Sequence, residues 1–149
     1  MGRPSRLPWA ILLAAGIVLV LGGAAAIVVG LFNPALISSQ LPPEAEIDEA
    51  AVGGAAVALG VATAFLGIVH LVTALALRQG VGVGATAAVV LSATMAILAL
   101  GFAVAAVVSI PSGSAPAIYM VPAAIGLVVG VIGYGFVTAI VIGSRGEPV

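Results

Sequence analysis

The sequence predicts an all-α membrane protein: a single integral membrane domain (1–149) of four transmembrane helices in an antiparallel, left-handed bundle with glycine- and alanine-rich interfaces. Three observations predict it. The 149 residues are 63% hydrophobic and 6% charged, with a mean hydropathy of +1.39, whereas a soluble domain is about 25% charged. Apolar runs long enough to cross a hydrocarbon core of ~30 Å, which takes about 20 helical residues, occur four times. Small residues recur within these runs at seven-residue spacing. Four arginines, no lysine and five acidic residues cannot clothe a water-facing exterior, so lipid is the outer solvent.

The first span is expected at 7–32. Arg3 and Arg6 before an apolar stretch that reaches Ala24-Ala25-Ala26 have the outline of a secretory signal. The apolar run continues through Phe32, however, well past the 7–15 residues of a signal core, and an uncleaved anchor helix is expected. Asn33-Pro34 ends this span and begins an outer loop, 33–49. The second span, 50–77, opens after Pro42-Pro43 and the acidic run Glu44, Glu46, Asp48, Glu49, because carboxylates favour the positive end of the helix dipole. Arg78-Gln79-Gly80 closes it with a cation and a C-terminal glycine,. A cytoplasmic turn at 78–82 leads to the third span, 83–110. The second outer loop, 111–116, is rich in proline and serine, and the fourth span covers 117–142. Short connections make neighbours antiparallel.

Basic residues near span ends are retained in the cytoplasm. Four crossings put Arg3, Arg6, Arg78 and Arg145 on one side, and neither outer loop contains Arg or Lys. A multi-pass protein of the cell membrane with both termini cytoplasmic is therefore expected. Trp9 and Tyr119 fall near span ends, where an aromatic belt lies. The abundance of Ala, Gly and Val fits a GC-rich bacterial genome.

Helices in lipid associate through close van der Waals contact, which small residues permit. The expected interface residues are Gly16, Gly23 and Gly30 in the first span, Gly53, Gly60, Gly67 and Ala74 in the second, Ala85, Ser92, Ala99 and Ala106 in the third, and Gly126 and Gly133 in the fourth. A seven-residue period falls slightly short of two natural turns and selects a left-handed crossing near +20°. Two shorter sets, Gly22/Ala26/Gly30 and Gly126/Gly130, offer a second interface, to another chain.

Buried ionisable groups mark function in membrane proteins because burying them in lipid is costly. Only His70 lies inside a span. Carboxylate proton relays, acid-coupled transport and voltage-sensing arginines are thereby excluded. A hydrogen-bonded intramembrane layer of His70, Ser92, Thr94, Tyr134 and Thr138 is expected from their similar depths. Within it His70 reads first as a neutral interior ring satisfied by one hydroxyl, and alternatively as a proton-handling group.

Other chemistry lacks its residues. With no cysteine and one histidine, thiolate metal sites are excluded, and a haem would have to bridge two copies or pair His70 with Met95 or Met120. The outer acidic run lacks the alternation and glycine of a calcium hand. No serine sits in a nucleophile elbow, and Gly80-Val81-Gly82-Val83-Gly84 lacks the lysine and strand of a phosphate loop. Without a basic cluster, nucleic acid is not a partner. No catalytic residue, metal or cofactor is assigned.

The expected partners are the bilayer and either other membrane subunits or further copies of the chain. The leading expectation is a non-catalytic accessory or structural subunit of a larger membrane complex, aiding its assembly or stability. The alternative is a homo-oligomeric channel or small-solute transporter with His70 lining the pathway.

Overall fold

The computed structural model describes residues 7–39, 48–109 and 117–143, without the side chains of 106, 109, 117–120 and 122. Arg3, Arg6, Glu44, Glu46 and Arg145, the second outer loop and the side chains of Ala106, Tyr119 and Met120 lie outside the described residues. Five helices follow one another: α1 (Leu7–Phe32), α2 (Pro34–Ser38), α3 (Glu49–Arg78), α4 (Gly82–Ser109) and α5 (Ala117–Gly143). All but α2 are long and apolar enough to cross a membrane, and the chain is a multi-pass membrane protein. Their 26 to 30 residues rise about 1.5 Å each, giving rods of roughly 39–45 Å. That exceeds a core of ~30 Å, so helix ends project beyond it or the rods tilt.

Local chemistry sets the ends. Proline disfavours helical geometry in the residue before it, and Asn33 leaves the helix at φ −149°, ψ 59°. The connection expected from 33 opens with a short helix. Pro34 is preset for a first helical position, and the chain turns once more as α2 before Ser38 and Ser39 hydrogen-bond back to the carbonyls of Ala35 and Leu36. Asp48 caps α3: its Oδ1 accepts from the Ala50 N–H at 3.2 Å and its carbonyl accepts from Val52 at 3.0 Å. At the other end Gly80 takes φ +71°. Its N–H donates to Leu77, while the Val81 N–H donates to Ala76. This is the Schellman pairing, and it satisfies carbonyls that α3 would otherwise leave bare.

Internal contacts divide the chain into two units, Leu12–Val72 and Met1–Ile11 with Thr73–Val149. In the first, α1 and α3 meet along their glycines in reverse order, Gly16 with Gly67, Gly23 with Gly60, and Gly30 with Gly53, so this pair runs antiparallel. All six are buried. A Cβ on Gly23 would lie 2.5 Å from the Gly60 oxygen, and one on Gly60 would lie 2.7 Å from the Gly23 oxygen. The other two pairs are reciprocal in the same way, at 2.7–3.0 Å. Each glycine therefore directs an Hα at the facing carbonyl, the arrangement of a Cα–H···O contact worth about 0.5–1 kcal/mol.

In the second unit α4 packs against α5. The buried stripe of α4 is Gly84, Ala88, Ser92, Ala99 and Ala103, spaced by four or seven residues. Ala85 of the expected stripe is only half-buried. Glycine is required at 84, where a Cβ would approach the Ala76 carbonyl carbon to 2.6 Å. The inward side of α5 carries Val137 and Val141, fully or nearly fully buried, with Gly130 a turn or two earlier in ordinary contact range of the Ala99 Cβ, 3.8 Å. Gly126 and Gly133 are a correction. A Cβ on either meets no described atom within 4 Å, although both lie within about 40° of Val137 round the helix, so α4 does not close on them backbone to backbone.

Candidate functional site

Helix α3 carries the buried ionisable group. His70 is fully buried, three residues beyond Gly67 and so about 60° round the helix from the glycine seam. Its Nδ1 lies 2.8 Å from the Leu66 carbonyl oxygen. A carbonyl only accepts, so Nδ1 carries the proton, and in the neutral ring the basic nitrogen is then Nε2. The backbone bond to the preceding turn fixes both tautomer and ring direction. Thr73, one turn on, is also buried.

His70 belongs to the Leu12–Val72 unit, and the other four residues of the expected polar layer belong to the second unit. Within that unit they diverge. Ser92 is fully buried on the inward stripe of α4, and its Oγ makes no hydrogen bond among the described residues. Thr94 is exposed, which corrects its assignment to the interior: residues two apart on a helix stand about 200° apart, so Ser92 and Thr94 cannot share a face. Tyr134 and Thr138 are half-buried on α5. The Thr138 hydroxyl donates to the Tyr134 carbonyl at 2.9 Å, a bond within its own helix that asks nothing of a neighbour.

The chemistry available is correspondingly narrow. Among the described residues, no three His, Asp or Glu side chains come close enough to hold a metal ion. Asp48 and Glu49 lie at the opposite end of α3 from Arg78. His70 can exchange hydrogen bonds through Nε2, and Ser92 retains one donor and two acceptor lone pairs.

One contact was not anticipated. The Arg78 guanidinium lies over the Trp9 indole, 5.2 Å from its centroid. The sequence held a signal for it: stepping the glycine register one heptad beyond Gly16 and Gly67 brings Trp9 level with Ala74, one turn before Arg78.

Compared with known protein families, with curated proteins and with solved structures, the chain finds no match in any of the three.

Proposed function

We propose that this chain is a non-catalytic accessory or structural subunit of a larger membrane protein complex, aiding its assembly or stability in the bilayer. It would act as a left-handed antiparallel bundle in the cell membrane with both termini cytoplasmic. One observation carries the reading. Three spans carry exposed glycines, Gly22 on α1, Gly101 on α4 and Gly126 on α5, that have no described atom within 4 Å of a Cβ position. Glycine costs a helix about 1 kcal/mol relative to alanine. In lipid its return is close backbone approach by another helix, which the glycine pairs of α1 and α3 already exemplify. Most residues of each span are exposed or half-buried among the described residues, so surface remains for such approach.

A pathway between copies lined by His70 has less support. Such a pathway would run over faces exposed in the single chain, and His70 has no exposed surface.

Purification of the tagged chain in mild detergent from its native membrane tests the proposal. A fixed set of co-purifying membrane proteins at constant stoichiometry is expected. A monodisperse homo-oligomer that conducts ions or solute in liposomes would overturn it.

A further inference from the structure

We infer that Trp9 and Arg78 form a binding site for the phosphate headgroup of an anionic phospholipid, at the membrane surface where α1 begins and α3 ends. The argument starts from donors without acceptors. Arg78 is exposed and makes no hydrogen bond or ion pair among the described residues, while its guanidinium lies over the Trp9 ring. The carbonyls that a C-terminal arginine usually caps are taken, since Leu75 accepts from the N–H of Gln79, Leu77 from that of Gly80 and Ala76 from that of Val81. The described acidic residues, Asp48 and Glu49, cap and open α3, about 45 Å along the helix from Arg78 at 1.5 Å per residue. Glu44, Glu46 and Glu147 are outside the described residues.

The contact with the indole holds the guanidinium in place and uses none of its five N–H donors, which suit a planar or tetrahedral oxyanion. The place selects which oxyanion. Trp9 lies in the first turn of α1 and Arg78 in the last of α3, so the pair stands at the hydrocarbon boundary, the depth of a phosphodiester headgroup. Val81 and Val83, exposed in the adjoining turn and first residues of α4, offer acyl chains an apolar flank.

Trp9 is the sole tryptophan, so its fluorescence reports on this place alone. Phosphatidylglycerol is titrated into phosphatidylcholine nanodiscs holding the full chain, and retained lipid is counted by native mass spectrometry. A saturable shift of Trp9 emission is expected, with about fivefold preferential retention of phosphatidylglycerol, the factor one basic residue contributes at an anionic surface. Arg78→Gln should reduce retention to the phosphatidylcholine level, and Arg78→Lys should keep part of it while losing the spectral shift. Circular dichroism checks that both variants keep their helices. Glu147→Gln should leave both readouts unchanged. Equal retention of the two lipids would overturn the inference, as would wild-type retention in Arg78→Gln. The same saturable shift with inorganic phosphate in pure phosphatidylcholine discs would overturn the lipid assignment in favour of a soluble anion.

Discussion

Gly22 and Gly23 are neighbours in the chain with opposite surroundings. A methyl group at 23 would meet the backbone of Gly60 and Ala64 at 2.5–2.6 Å, and one at 22 would meet nothing within 4 Å. Backbone cannot swing aside as a side chain can, so Gly23→Ala must part the helices. It should cost about 1–3 kcal/mol, the range for overpacking. Gly22→Ala should be neutral or gain up to ~1 kcal/mol of helix propensity. Thermal unfolding of both variants in the same detergent measures the contrast, and equal midpoints would refute the seam. Ser92 offers a second residue-scale case. An unpaired buried hydroxyl costs about 1–3 kcal/mol, so Ser92→Ala should not lower the unfolding midpoint and should raise it modestly; a marked loss would mean the hydroxyl has a partner. The sequence disclosed that His70 was the sole ionisable group within a span. It did not disclose which hydroxyls turn inward, since that depends on helix rotation, and Thr94 was misplaced by reasoning from depth without azimuth.

At the scale of elements, α3 is fixed by its two ends. Asp48→Ala removes the side-chain acceptor for the Ala50 N–H and should cost about 1 kcal/mol. Gly80→Ala forces a Cβ into left-handed backbone at φ +71°, at about 1–2 kcal/mol. Amide hydrogen exchange should show each loss confined to its own end, the first turn for Asp48→Ala and the last for Gly80→Ala. Protection unchanged at either end would refute the corresponding cap. These ends were legible because capping is local chemistry. α2 was not, because Asn-Pro both stops one helix and supplies the first residue of another, and five residues hold too little pattern to separate the two.

For the whole molecule, the absence of cysteine makes single-cysteine labelling unambiguous. Gln79 and Ser39 are both exposed and flank opposite ends of spans. With a membrane-impermeant maleimide, Ser39→Cys should be labelled in intact cells, whereas Gln79→Cys should react only after the membrane is opened. The reverse pattern would invert the proposed orientation, and labelling of both from outside would refute the crossing of α3.

What the sequence determined by itself was the solvent and the rods: lipid, and four helices long enough to span it. Hydropathy and length are additive along the chain, and caps act within a turn, so neither needs knowledge of distant residues. Only the tertiary structure decided which small residues meet. The sevenfold spacing is written alike in α1, α3 and α5. It closes backbone to backbone between the first two and leaves the Cβ positions of Gly126 and Gly133 with no described atom within 4 Å, because facing is a relation between two helices and a periodic pattern in one of them cannot specify it.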